Sequence, residues 1–339
     1  MERNSLSTRR RLLIPVFHII AILGFLAAPP GFSQTIPGKV ERLVVTYVAV
    51  SGSYGPLFLA KEQGLFEKYG VEVELQYLNP TAGVQAMTAG SVQLYAGGTA
   101  ALEAALNGID LVYVASIVDQ FVLSLFGLPE LQSLAELKGK TLGVTQPGTP
   151  SYFGTLLLLK RYGLEPDRDV KITFLRGLPE ILAALKEGVI QAGISAPPLT
   201  LMARKGGLKE LVDMGKLKIP FPQTAFAVMR PFVAARRESL IRFLKGYIEG
   251  VKLAKANRSI TEQVLAKYTK VAEPEINAEN YAAFSAMWEP VPYMSDAGMQ
   301  TALSLSTNPK AKGARVENYI DNSLVEELAR SGFVSRPSP

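Results

Sequence analysis

From residue 42 onward, short β-branched apolar runs alternate with longer segments whose apolar residues recur at helical spacing. A short apolar run suits a strand buried on both faces and the longer pattern suits an amphipathic helix, so their alternation predicts parallel α/β architecture. The spacing predicts strands over 44–50, 71–78, 92–96 and 111–118, with helical segments over 56–69, 81–89 and 99–107 between them. Residues 121–137 form a looser stretch. The order then restarts, with strands over 141–144, 170–175 and 190–194, helices over 151–162, 179–186 and 198–205, and a short strand near Leu211.

The restart can be followed letter by letter. AMTAGSVQLYAGGTAALEAALNGIDLVYV begins at Ala86 and ALKEGVIQAGISAPPLTLMARKGGLKELV begins at Ala184, an offset of 98. It pairs Gly90 with Gly188, Val92 with Ile190, Gln93 with Gln191 and Gly108 with Gly206, while Tyr69-Gly70 answers Tyr162-Gly163 upstream. Helix-turn-strand units share such periods by chance, but the shared element order favours two similar lobes. Beyond residue 220 the pattern predicts one strand over 224–229 and helices over 237–256, 260–267, 278–287, 296–304 and 316–331. Ser259 with Glu262, and Ser295 before Asp296, suit helix starts. The strand near Ala225 suggests that the chain crosses back to the first lobe.

Composition narrows the chemistry. With 48% hydrophobic and 19% charged residues, the 339-residue chain is globular in type. Arg9, Arg10 and Arg11 precede an apolar run from Leu12 to Ala28, followed by Pro29, Pro30 and the small residues Gly31 and Ser33. This reads as a secretory signal peptide over residues 1–33, since prolines at 15, 29 and 30 make a poor permanent span. The arginine run also resembles a twin-arginine signal, leaving the export route open. Removing four basic residues and one acidic residue lowers the formal charge from +6 to +3, and no basic stripe interleaved with aromatics remains to suggest nucleic acid. The chain has no cysteine, and its one histidine, His18, lies in the signal segment. Imidazole or thiolate metal sites, cysteine nucleophiles and Ser-His-Asp triads are thereby excluded from the mature protein.

Ligands of doubly wound sheets bind beyond the carboxyl ends of the strands. Six loops occupy such places: SGSYG at 51–55, NPTAG at 79–83, AGGT at 96–99, TQPGTPSYFG at 145–154, RGLP at 176–179 and SAPP at 195–198. Strand-to-helix turns use Gly, Pro and hydroxyl residues for capping in any case, but six alike in two repeated sets point to binding. TQPGTPSYFG is not a phosphate loop, because it has no lysine, and no G-x-G-x-x-G occurs. The loops hold one cation, Arg176, suited to a ligand anion or to a surface ion pair, and no pair of acids placed for catalysis. Helix N-termini bearing hydroxyls can hold an anion or carbonyl without further charge. Tyr54, Tyr95, Tyr152 and Phe153 offer apolar walls, or core.

Taken together with Pro56-Leu57-Phe58-Leu59-Ala60-Lys61, Gly64-Leu65-Phe66, Tyr69-Gly70-Val71-Glu72-Val73, Leu137-Lys138-Gly139-Lys140 and Phe243-Leu244-Lys245-Gly246-Tyr247, the chain resembles substrate-binding proteins of ABC importers. The branch is that of the nitrate, sulfonate, taurine and pyrimidine-precursor binders, and the resemblance runs from about residue 42 to 270. It implies a type II periplasmic-binding fold with lobe I over 40–119 plus 225–335, lobe II over 121–222, and hinges near 118–121 and 221–225. It implies ligand contacts at Ser53, Tyr54, Thr81, Gly98, Thr99, Thr149, Ser151, Tyr152 and Ser195, beside Arg176. It also implies a periplasmic monomer without cofactor that hands a small polar or anionic organic molecule to a membrane permease. A synthase of the same fold, which holds pyridoxal phosphate on a lysine and consumes its own histidine, is the enzymatic alternative. A ligand sensor docking to a receptor is another.

Overall fold

In the computed structural model, which describes residues 40–335, the expected alternation appears as strands and helices in regular succession. β1 (Glu41–Tyr47), α1 (Gly55–Glu62), β2 (Val71–Tyr77), α2 (Pro80–Thr88), β3 (Leu94–Gly97), α3 (Ala100–Leu106) and β4 (Leu111–Gln120) come first. β5 (Ser124–Gly127), β6 (Thr141–Val144), α4 (Pro150–Arg161), β7 (Lys171–Phe174), α5 (Leu178–Lys186), β8 (Ala192–Ser195), α6 (Leu199–Lys205) and β9 (Lys209–Asp213) follow. The chain returns through β10 (Pro220–Met229) and ends in α7 (Arg230–Ala235), α8 (Arg237–Ala256), α9 (Arg258–Thr269), α10 (Pro274–Ser285), α11 (Asp296–Leu305) and α12 (Ser323–Arg330). The segment read as an export signal lies outside the described residues. No helix among the described residues is long and apolar enough to cross a membrane.

Two five-stranded sheets result, in the orders β2-β1-β3-β10-β4 and β7-β6-β8-β5-β9. Each contains one antiparallel strand wedged between parallel ones: β10 against β3 and β4, and β5 against β8 and β9. Each wedge is the first strand laid down after the chain changes sheets. β5 is the element that the hydrophobic pattern concealed, since its four residues are all buried and show no polar alternation.

The repeat is physical as well as textual. Gln93 accepts from Val44 N–H at 2.9 Å and donates to Gly90 C=O at 3.0 Å. Gln191 accepts from Thr141 N–H at 3.1 Å and donates to Gly188 C=O at 3.4 Å. Each glutamine thus satisfies the backbone of the strand beside its own and ties down the preceding turn. The pairing of Gly108 with Gly206 is off by one, because it is Gly207 (φ 80°), not Gly206, that takes the left-handed turn of Gly108 (φ 100°).

Other boundaries move for local reasons. Helix α9 is capped by Asn257, whose side chain accepts from Ile260 N–H at 3.2 Å, so Ser259 falls inside the helix. Ser295 caps α11 as expected, accepting from Gly298 N–H at 2.9 Å. The helix expected over 316–331 is interrupted, because Tyr319–Asp321 runs alongside β4: Tyr113 N–H donates to Tyr319 C=O and Asp321 N–H to Tyr113 C=O. Only α12 remains helical over a full length there. α8, α1 and the turn after α1 pack on the first sheet through Phe58, Phe66, Phe243 and Tyr247, with Phe66 of that turn and Phe243 stacked at 5.0 Å. Where the chain changes sheets, Phe121 and Phe221 stack at 3.9 Å, fastening the outgoing and returning segments together.

Candidate functional site

The strand-to-helix loops of both sheets converge on one cleft. Its lining comes from the loop after β1, the ends of β2 and β3, the loops after β6, β7 and β8, and both crossing segments. The empty space is about 830 Å³, open mouth included.

On the first-sheet side the chain leaves β1 and turns at Ser51, whose hydroxyl accepts from Ser53 N–H at 3.3 Å. Gly52 N–H donates to Asn280 Oδ1 of α10 at 3.0 Å, so a distant helix braces this loop from behind. Tyr54 is buried, accepts from Val48 N–H at 3.3 Å and donates to Ala96 C=O at 3.1 Å. Burial pushes its phenol well above the ordinary tyrosine range, so it stays neutral. Tyr77 stands exposed at the rim, its phenol pushed up by the partial burial it does have and by the Glu180 carboxylate across the cleft.

On the second-sheet side, Gln146-Pro147-Gly148-Thr149 forms a type II turn, with Pro second, Gly148 at φ 75° third, and Thr149 N–H donating to Gln146 C=O at 3.3 Å. The turn delivers Thr149 and Ser151 to the start of α4. Thr145, Thr149 and Ser151 then form a triangle of hydroxyls, with edges of 2.8, 2.6 and 3.1 Å. Thr149 donates its proton to Gln146 C=O at 2.6 Å, and Ser151 Oγ also accepts from Thr145 N–H at 3.0 Å. If Thr145 donates within the triangle, the Ser151 proton is free to turn toward a ligand. The first-turn N–H groups of Ser151 and Tyr152 have no intrahelical partner, and Pro150 has no N–H to compete. Arg176 is exposed at the cleft wall and makes no ion pair among the described residues.

Of the ten residues singled out in the sequence, Ser53, Tyr54, Gly98, Thr149, Ser151 and Arg176 line the cleft. The other four lie elsewhere. Thr81 donates to Gln146 Oε1 at 2.8 Å and Thr99 to Gly148 C=O at 2.7 Å, so both bridge the two sides. Tyr152 turns away to pack on Phe153 and Phe174, one helical step round from Ser151. Ser195 is buried behind Ala196, which takes the lining place. Gly98 belongs where the sides meet, because a Cβ there would lie 2.4 Å from Pro150 and 2.8 Å from Gln223 C=O.

Sequence reasoning passed over Tyr77, Gln223, Thr224 and Phe284, which also line the cleft. Gln223 and Thr224 sit on a crossing strand and Phe284 on a helix, not on strand-to-helix loops. Asp119, at the end of β4, is largely buried against Ser295, and burial raises its carboxyl to about 6. Among the described residues no group of three or more His, Cys, Asp or Glu could hold a metal ion.

The sequence model of the NMT1-like family matches residues 37–268. No curated protein sequence matches the chain. Solved structures do match it. The periplasmic nitrate-binding protein NrtA from Synechocystis PCC 6803 is 15% identical with a TM-score of 0.70, over 86% of this chain and 89% of that one. The alkanesulfonate-binding protein SsuA from Xanthomonas axonopodis pv. citri, bound to MOPS, is 20% identical with a TM-score of 0.66, over 86% and 98%. A cysteine-to-serine mutant of DszB in complex with biphenyl-2-sulfinic acid is 15% identical with a TM-score of 0.61, over 86% and 99%. At these identities the likeness carries the fold, which is that of the periplasmic binding proteins.

Proposed function

The chain belongs to the NMT1-like family, and from that premise we propose that it is a periplasmic solute-binding protein of an ABC importer, capturing a small polar or anionic organic molecule and releasing it unchanged. The observation that carries this reading is the composition of the cleft. Unpaired Arg176, the Ser151 hydroxyl and the first-turn amides of α4 face an aromatic wall of Tyr54 and Tyr77. That set can hold an anion and a short apolar body. With a single guanidinium at the wall, a monoanion or neutral molecule fits better than a polyanion.

We assign lobe I to 40–119 plus 225–335 and lobe II to 121–222, with the stacked Phe121 and Phe221 at the hinge. Closing the lobes on a ligand would select the form that a membrane permease recognises. The nitrate- and sulfonate-binding neighbours support this reading. A thermal-shift screen over nitrate, sulfonates, carboxylates and pyrimidines tests it. A ligand of one class raises the melting temperature, the more so the further its concentration exceeds its Kd, and is recovered intact. A melting temperature unmoved by every class, or a ligand returned as product, would sink the proposal.

A further inference from the structure

Nine buried side-chain polar atoms among the described residues have no hydrogen-bond partner, and of their residues only Tyr95 and Gln223 line the cleft. A buried polar atom without a partner costs roughly 1–3 kcal/mol, so a pair of them at the floor of a binding site is informative. Tyr95 is fully buried, and its ring folds over Gly97, where a Cβ would lie 2.5 Å from the phenol oxygen. Gly97 faces Ala225 across the antiparallel pair β3–β10, and Gln223 lies two residues along β10 from Ala225. Gln223 stands where β10 breaks its regular pairing with β4, just beyond Ala225, so the phenol and the amide both belong to the cleft end of the β3–β10 pair. Thr224, between Gln223 and Ala225, is already occupied by its hydrogen bond to Tyr54.

The two atoms are chemically complementary. Burial pushes the Tyr95 phenol well above its ordinary range, which keeps its proton in place as a donor. Gln223 Oε1 is an acceptor. At the other side of the cleft stands the unpaired Arg176.

Resting on the binding reading above, we propose that the ligand is an organic anion whose far end carries an adjacent N–H and C=O, as in a lactam, amide or ureide. The C=O accepts from Tyr95, the N–H donates to Gln223 Oε1, and the acidic group meets Arg176. Such a floor discriminates against an isostere lacking the pair, because both protein atoms then remain buried and unpaired.

Calorimetric titration with three matched compounds tests this. Pyroglutamate carries the ring, the anion and the lactam pair; cyclopentanecarboxylate lacks the pair, and 2-pyrrolidinone lacks the anion. Pyroglutamate is expected to bind at least about tenfold more tightly than either. In Tyr95→Phe and in Gln223→Leu, its advantage over cyclopentanecarboxylate falls to within about threefold. Equal or tighter binding of cyclopentanecarboxylate by the parent protein overturns the inference, as does an advantage unchanged in both variants. Binding of nitrate or a sulfonate without any binding of pyroglutamate also overturns it, and leaves the solute-binding reading standing. If none of these compounds nor any member of the wider screen binds, the solute-binding reading itself falls.

Discussion

The two sides of the cleft share a topology and differ in chemistry. Each sheet has the same strand order, the same antiparallel wedge and the same glutamine clasp, at Gln93 and at Gln191. Yet the first side presents tyrosines, and its loop is braced from behind by Asn280. The second presents hydroxyls and a guanidinium, and its loop holds itself in place through the Thr145, Thr149 and Ser151 triangle. A repeated scaffold sets where the loops converge, and side chains that do not repeat decide what they hold. The C-terminal helices add to the asymmetry, because α10 braces the first loop through Asn280 but meets the second side through ion pairs of Glu275 and Glu279 with Lys205 and Arg204 of α6.

The largest test strikes the buttress of the first side. Trp288 is fully buried, with its ring where a Gly55 Cβ would stand, 2.7 Å away. Trp288→Ala is expected to cost about 3–5 kcal/mol in urea unfolding, whereas a surface substitution on the second side would cost under about 0.5 kcal/mol. The clasps come next. Gln93→Leu and Gln191→Leu each strand a strand N–H, so each should lower stability by about 1–3 kcal/mol, and by similar amounts. A markedly cheaper Gln191→Leu would show that the repeat is one of form only.

Thr149→Ala combined with Ser151→Ala removes the hydroxyl side, and should weaken ligand binding about tenfold, near 1.4 kcal/mol, with the fold intact by circular dichroism. Unchanged affinity would take that loop out of the site.

An effect of another kind belongs to neither side. Asp119 at the crossing has its carboxyl raised from 3.8 to about 6, so its charged form is disfavoured in the folded chain. The parent therefore loses stability relative to Asp119→Asn as pH rises from about 4 to about 6, with no further change above. Thermal melts of both proteins across that range should diverge in this direction.

Much of this was legible in the sequence. Hydrophobic period and β-branched runs marked most strands and helices, and the Gly, Pro and hydroxyl loops marked six of the cleft residues. What was not legible depended on the return of the chain. β5 carries no alternation because both its faces are covered. Gln223 and Phe284 reach the cleft from a crossing strand and a late helix, where no loop motif announces them. Thr81 and Thr99 have the residue type of ligand contacts, but the closeness of the two sides turns their hydroxyls to Gln146 and Gly148.

The central claim, that this cleft captures a small molecule and does not transform it, is tested most directly by titrating the purified protein calorimetrically against the screen and analysing the recovered compound by mass spectrometry. The account predicts saturable binding of one molecule per chain, weakened by Arg176→Ala, with the compound recovered at its original mass. Binding indifferent to Arg176, or a compound recovered as product, would contradict it.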